Sequence, residues 1–595
     1  MSPQTKICQN CKNQFTIEPE DFKFYEKMSV PPPTFCPECR LIRRLAWRNE
    51  KYLYQRSCDK CGKNIISVFH NDCGATVYCS PCWWSDDWDA MSYGFEYDPS
   101  KPFLVQLHDL FQRVPVMNLF GYYSTLENSD YTNMVGYLKN CYLITNSDHS
   151  ENCSYGSGID RCKDSIDNMM LVNSELCYEA VNCRDCNRVF YSLDCESCLN
   201  VTFSKNCIGC SDLIGCVNLR NKKYCIFNKQ YSKEEYQQLA QKYLKSSYES
   251  LTKLGNEGFS FWNKFPNKYF HERRNFNVSG DYIYNSKNVK DSFIVTDTEN
   301  SRYCSLITVP KVTDCYDFTH YGENCELVYE AMQAGDMISR IRFSWFVARS
   351  CQDIEYCQFV VWSKNIFGSV GLRNKEFCIL NKQYTKEEYE NIKAKIISEM
   401  NRNPYVDKLG RIYKYGEFFP SELSPFGYNE TTAHDTFPLL KDEALIRGLS
   451  WREPKARDYR TTLKSEHIPD HIKDVKDSIL DEIIECEHKG DCNENCTEAF
   501  RIISQELDFL RNQNIALPRL CPNCRHYQRL QHRSPLKLWE RTCQCAGDIS
   551  SNGVYQNTIT HEHGANPCTN EFETTYAPDR PEIVYCEECY LTEVV

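Results

Sequence analysis

The sequence predicts a mainly β chain in which a duplicated, cysteine-rich β-solenoid is flanked at each end by a two-site cysteine-knuckle module, with short capping helices. Three observations predict it. In mid-chain, Cys183, Cys195 and Cys207 fall twelve residues apart, as do Cys186, Cys198 and Cys210. The stretch "VNLRNKKYCIFNKQYSKEEYQ" at 217–237 returns as "VGLRNKEFCILNKQYTKEEYE" at 370–390. Near the start, "PPTFCPECRLIRRLAWR" is answered near the end by "LPRLCPNCRHYQRLQHR".

Bulk properties set the frame. A chain of 595 residues divides into several cores. The net charge of −12 argues against a uniformly basic coat for nucleic acid, though local basic patches remain free to bind phosphate. There is no basic start followed by an apolar run, and no stretch reaches the roughly 18 apolar residues that span a bilayer, so the expected location is the cytoplasm, without a membrane partner. Many of the 37 cysteines stand in C-x-x-C pairs in a large chain, a pattern of thiolate zinc sites rather than of a small disulfide scaffold.

The N-terminal module, residues 1–98, offers two sets of knuckles: Cys8, Cys11, Cys36 and Cys39, then Cys58, Cys61, Cys79 and Cys82. Four thiolates close a tetrahedral zinc site with no open position, which is structural rather than catalytic. His70 and Cys73 lie between as alternatives. The C-terminal module, residues 481–595, repeats the order with Cys492, Cys496, Cys521 and Cys524, then Cys543, Cys545, Cys586 and Cys589. Its spacings depart from the first copy, and Cys486, His488, His561, His563 and Cys568 are further candidates. About four zinc ions are expected in all.

"KICQNCKNQFTIEPEDFKFYEKMSVPPPTFCPECRLIRR" resembles the probable zinc-ribbon family, whose short members share the C-x-x-C, the spaced F…FY and the P-x-x-C-x-x-C-R pattern. The likeness covers the first zinc site of each module and implies a structural zinc there. The whole order also resembles Cys-rich repeat and zinc-ribbon proteins of ultra-small candidate-phylum bacteria, a likeness that implies no activity.

Between the two sites of each module, Arg40, Arg44, Arg48, Tyr52 and Arg56 correspond to Arg525, Arg529, Arg533, Lys537 and Arg541. A four-residue step aligns such groups along one helix face, with Pro535 interrupting the second copy. One reading is a phosphate-contacting stripe with Trp47 or Trp539 stacking on bases; the other is a solvated face beside a structural zinc. Trp83, Trp84 and Trp88 read as core.

The middle of the chain carries the repeats: residues 99–240 as a first half with its capping helix, 241–280 as an aromatic linker, 281–395 as a second half, and 396–480 as an aromatic and helical connector. Segments such as "NRVFYS" and "LNVTFS" alternate and are rich in strand formers, between turns of Asn, Asp, Ser and Gly. A short fixed period marks a solenoid. Its cysteines read first as small buried side chains filling a narrow interior, with further zinc sites or ladder disulfides as alternatives. Ser232 with Glu235, and Thr385 with Glu388, are capping boxes opening a helix after each half. "DEALIRGLSWREP" reads as another short helix, and the aromatic segments around 258–284 and 410–440 as docked irregular loops.

No G-x-x-x-x-G-K-S/T, H-E-x-x-H or G-x-S-x-G motif occurs. "HEHG" at His561 offers two ligands toward an open metal site. The expectation is therefore a non-enzymatic, zinc-stabilised binding or scaffold protein. RNA or a ribonucleoprotein is the first partner, held by the duplicated basic elements, and a protein complex the second. The enzymatic alternative is a β-helix acting on carbohydrate, which needs facing carboxylates; Asp194, Glu196, Asp212, Asp314 and Glu323 show no pairing pattern.

Overall fold

The computed structural model describes residues 2–453 and 460–594. Pro454, at the end of "DEALIRGLSWREP", lies outside the described residues. The rest of that segment holds a helix at Lys441–Ile446 that stops before Gly448, whose φ is +71°.

The chain forms two compact units, each built from pieces remote in sequence. The first comprises Met1–Leu119, Phe270–Glu453 and Leu536–Leu538; the second comprises Phe120–Tyr269, Pro454–Pro535 and Trp539–Val595. The N-terminal module thus folds with the second repeat half, and the C-terminal module with the first.

In the second unit, the repeats make stacks of short parallel strands. Asn187–Phe190, Leu199–Thr202, Ser211–Ile214 and Lys223–Ile226 pair in order, with Val189 opposite Val201 and Val201 opposite Leu213. Side-chain bonds join residues 12 apart, as in Cys186 N–H to Ser174 Oγ at 3.0 Å, while backbone N–H groups reach carbonyls 11 residues ahead or 13 behind, as Arg184 does to Cys195 and Asp185 to Val172.

Inside this period runs a shorter one of three. Every third side chain points inward: Cys177, Ala180, Cys183, Cys186 and Val189 are all at most 3% exposed. The next residue forms the parallel bridge, as Arg184 does with Glu196. The third takes a left-handed φ, as Asp185 at +53°, Arg188 at +53°, Tyr191 at +51° and Asp194 at +53° do. Among the described residues no Val or Thr stands at such a position, and Ile294 is the one β-branched exception, because branching at Cβ makes this region costly. Asn and Asp tolerate it best, and they stack in ladders such as Asn128 to Asn140 at 3.0 Å and Asn140 to Asn152 at 3.1 Å.

The narrow interior explains the cysteines. All of them are free, and the Cys162 thiol donates to the carbonyls of Asp160 and Leu171, both at 3.3 Å. Serine does the same work at equivalent positions: Ser174 Oγ donates to Val172 O at 2.8 Å. A small side chain able to satisfy an inward carbonyl is what each site requires.

In the first unit the repeats are wider and less regular. Contacts between neighbouring turns span 11, 12, 13 or 14 residues. The buried side chains grow accordingly, to Phe318, Val328, Ile341, Val347 and Val360, and cysteines become fewer. Strands Lys287–Thr296, Thr298–Arg302, Val312–Thr313, Cys325–Gly335, Tyr316–Gly322 and Ser305–Ile307 close a parallel, barrel-like ring, because the long strands pair with different neighbours at their two ends.

Each strand series ends alike. An antiparallel two-residue strand, Lys229–Gln230 or Lys382–Gln383, turns the last edge. A helix follows at Lys233–Tyr243 or Lys386–Arg402, and both capping boxes form, with Glu235 N–H to Ser232 Oγ at 3.2 Å and Glu388 N–H to Thr385 Oγ1 at 3.3 Å. The edge is thereby covered.

The aromatic segments differ from one another. Phe418, Phe419, Phe426 and Tyr428 are buried in the irregular connector of the first unit. The expected loop around Phe259 to Trp262 is instead the end of a helix, Tyr248–Trp262. Its Gly255 and Gly258 let the backbone lie against the Phe203 ring, where a Cβ at Gly255 would come within 2.9 Å, so packing overrides two poor helix formers. Trp83 is fully buried and donates its indole N–H to Pro115 O at 3.0 Å, while Trp84 and Trp88 are half-buried.

Candidate metal centres

Four groups of four cysteines each bring their sulfurs within 4.8 Å of one another: Cys8, Cys11, Cys36, Cys39; Cys58, Cys61, Cys79, Cys82; Cys486, Cys496, Cys521, Cys524; and Cys543, Cys568, Cys586, Cys589. All four are built alike. The first cysteine directly follows a strand of an antiparallel pair: Gln4–Ile7 with Gln14–Ile17, Tyr54–Ser57 with Asn64–Ser67, Ile484–Glu485 with Ala499–Phe500, and Trp539–Thr542 with Glu571–Thr574. The third cysteine starts or precedes a helix, and its backbone N–H donates to the first sulfur at 3.2 Å in every group. Pro37 and Pro522 occupy the first helical turn, where a missing N–H costs nothing, and the helix N-terminus favours thiolate charge.

The spacing suits a tetrahedral thiolate site. Bonds of about 2.3 Å to sulfur imply edges of about 3.8 Å. Observed edges are 3.7 Å for Cys11 to Cys36, 3.9 Å for Cys61 to Cys79, 3.9 Å for Cys496 to Cys521 and 4.0 Å for Cys568 to Cys586. Burial pushes the Cys58 thiol up, but N–H groups of Cys61, Cys79 and Lys60 outweigh it and bring it down to about 7. These groups can hold metal ions.

Two expected ligands are displaced. Cys486 takes the place of Cys492, whose sulfur stays at the rim, 3.8 Å from that of Cys524. Cys568 takes the place of Cys545. The C-terminal knuckles have enlarged turns, so the cysteine nearest in sequence is not the one that closes the site. The signal was the strand end: "KIC", "RSC", "IEC" and "RTC" mark the first ligand each time. His70 and Cys73 do not join the second group.

The matched basic residues do not form a solvent-facing stripe. The helices span only Pro37–Leu45 and Pro522–Gln531, so Arg48, Arg533, Lys537 and both Arg56 and Arg541 lie beyond them. Arg40 and Arg44 are each 1% exposed and Arg525 and Arg529 each 2%. Arg40 Nε donates to Asp317 Oδ2 at 2.9 Å, and Arg44 Nη1 to Asp317 Oδ1 at 3.0 Å and Glu330 Oε2 at 3.2 Å. Arg43 bridges Glu330 at 2.7 Å and Glu417 at 2.9 Å.

The second unit repeats the arrangement. Arg525 pairs with Asp167 and, at 2.8 Å, with Glu506; Arg529 pairs with Asp167 at 3.0 Å and Glu179 at 2.9 Å. Tyr303 lies under Arg40 at 5.0 Å and Tyr155 under Arg525 at 4.8 Å. Asp317, Glu330, Asp167 and Glu179 all occupy left-handed positions of the repeats, with φ of +52°, +46°, +58° and +50°. Burial pushes the Glu330 carboxyl up against the pull of Arg43 and Arg44. It lifts Glu179 to about 7 against Arg529.

The remaining basic residues are engaged less deeply. Arg48, itself buried, donates to Glu50 at 2.6 Å; half-buried Arg56 to Asp59 at 2.9 Å; and Arg541 to Gln544 at 2.8 Å. Lys537 pairs with Glu38 at 2.8 Å, and Arg533 is half-buried. Trp47 packs 5.2 Å from Trp345 rather than facing solvent. Of the scattered carboxylates, Asp212 accepts from Asn200 at 3.2 Å and Asp314 pairs with Lys27 at 2.8 Å.

No family model and no curated protein matches the chain. Among solved structures, one described as a "putative acetyltransferase from Desulfovibrio desulfuricans G20" is similar over 49% of this chain and 86% of its own, at 10% identity and a TM-score of 0.10, a likeness that carries no argument. Among the described residues no helix is long and apolar enough to cross a membrane.

Proposed function

We propose that the protein is a non-enzymatic scaffold for a protein partner, in which zinc-ribbon modules clasp two β-solenoids. The carrying observation is the repeated clasp: in both units a C-P-x-C-R-x-x-x-R helix sits on an Asp and a Glu one repeat apart. Zinc suits four closed thiolate sites, one per knuckle set, whose work is to hold each helix in register. The twelve-residue step and inward thiols support the solenoid reading.

A protein partner is favoured over RNA because five of the arginines expected to meet phosphate, Arg40, Arg44, Arg48, Arg525 and Arg529, are buried inside the fold. A partner surface is supported in the first unit, where Ile7, Val406, Leu409, Ile412, Leu440, Leu445 and Ile446 are all exposed. Gln9 holds Ile412 O at 3.0 Å, and Arg411 Nη1 reaches Arg447 O at 3.4 Å, which brings these segments together. Exposed apolar groups gathered in one place mark protein contact sites.

The test measures affinity for structured RNA between about 50 and 200 mM salt, for wild type and for Arg44→Met with Arg529→Met. The proposal expects the double variant to lose stability and to leave RNA retention unchanged. A salt slope that falls while stability holds would restore the RNA reading.

A further inference from the structure

The enlarged turn of the fourth knuckle contains a second set of donors. Cys545, His561, His563 and Cys589 place one ligand atom each within 4.8 Å of one another, and Cys589 also belongs to the four-cysteine group. His563 Nε2 lies 3.3 Å from Cys589 Sγ, near the roughly 3.5 Å edge that bonds of about 2.0 Å to nitrogen and 2.3 Å to sulfur imply.

The surrounding hydrogen bonds aim these groups. His563 Nδ1–H donates to Asn566 O at 2.6 Å, which leaves the Nε2 lone pair facing the sulfur. His561 Nε2–H donates to Glu593 at 3.1 Å, with both side chains buried, which leaves Nδ1 as its ligand atom. Glu593 is itself fixed by the Thr558 and Ile559 N–H groups and by the Tyr555 hydroxyl, all within 3.2 Å. Asn557 donates to Cys545 Sγ at 3.2 Å and accepts from Tyr585 at 2.8 Å. Carboxylate and carbonyl partners on the far nitrogen are how metal-binding histidines are oriented.

We propose that the C-terminal module holds a two-metal cluster: one zinc-class ion on Cys543, Cys568, Cys586 and Cys589, and a second on Cys545, His561 and His563, with the Cys589 thiolate bridging both. This rests on the reading of the four-cysteine groups as metal sites. Charge allows it, because four thiolates around one divalent ion leave an excess of two negative charges, and a second ion held by the Cys545 thiolate and two neutral imidazoles lowers that excess to one. Mixed sulfur and nitrogen donors in tetrahedral spacing suit zinc.

The experiment counts zinc in reduced, full-length protein by native mass spectrometry, with Cys545→Ser and His561→Ala beside the wild type. Five ions are expected, falling to four in each variant with the far-UV spectrum unchanged. Cobalt(II) substitution of the wild type supplies a readout that needs no variant: bridged ions couple, and two of the five lose their independent paramagnetic signal. Four ions in the wild type, or cobalt ions that all keep independent paramagnetic signals, would overturn the cluster and leave the four-site reading standing; no bound zinc would overturn that reading itself.

Discussion

Replacing Asp317 with alanine isolates the clasp of the first unit. Asp317 is fully buried, accepts from Arg40 Nε at 2.9 Å and Arg44 Nη1 at 3.0 Å, and forms an ion pair with Arg40 Nη2 at 2.9 Å. Its removal leaves both guanidiniums with Glu330, which stands 3.8 Å from Arg40 Nε. Breaking one side of a buried ion pair costs about 3–5 kcal/mol, a large part of the roughly 5–15 kcal/mol that holds a domain together. With a urea slope of about 3 kcal/mol per M, the midpoint of the first unit falls by about 1–1.7 M. Trypsin supplies the second readout, since undocking exposes the bonds after Arg40, Arg43 and Arg44. The triple change Asp317→Leu, Arg40→Met, Arg44→Met should recover much of the loss, because apolar groups of similar volume replace a buried ion pair at little cost. A midpoint for Asp317→Ala within about 0.2 M of wild type, with unchanged proteolysis, would refute the clasp as a source of stability.

Chelation should release both modules together, read as new tryptic cuts at Arg44 and Arg529 while the strand signal of the repeats persists. Glu179→Gln tests the raised carboxyl: the folded protein binds that proton more tightly than the unfolded chain, with about 7 against 4.5, so stability from this group is full below 4.5 and lost as pH rises through 7. The variant should therefore gain on wild type at pH 8, the gain shrinking toward pH 5.5; a constant difference across that range in denaturation midpoints would refute it. Cys183→Ser should cost little, since serine satisfies the same inward carbonyls, whereas Cys183→Leu overpacks the coil by about 1–3 kcal/mol, both measured by thermal unfolding. Asn152→Val should cost about 1–3 kcal/mol because its φ is +54°, and Asn152→Gly clearly less.

Much of the plan was legible in residue spacing. The twelve-residue step, the duplicated halves, the paired capping boxes and the strand-end cysteines all report local geometry, and local geometry recurs wherever its residues recur. The period of three was present as well, in the avoidance of Val and Thr at positions such as 185, 188 and 191, but cysteine spacing masked it. Two things were not legible. Cys486 and Cys568 were passed over for nearer neighbours because loop length says nothing about which thiol closes a tetrahedron. The arginines read as exposed because their partners are far away: Arg40 meets Asp317 277 residues later, and Arg529 meets Tyr155 374 residues earlier. Nothing short-range in the sequence announces such a pairing.

That separation has a consequence for biosynthesis. At about 5–20 residues per second, the ribosome delivers Asp317 roughly 15–55 s after Arg40. Throughout that interval the leading module must persist beside a growing chain with its three buried-to-be guanidiniums still in water. Ion capture by its eight thiols during the wait would decide whether the module arrives rigid at its berth, so cellular metal supply becomes a determinant of folding yield as much as of final stability.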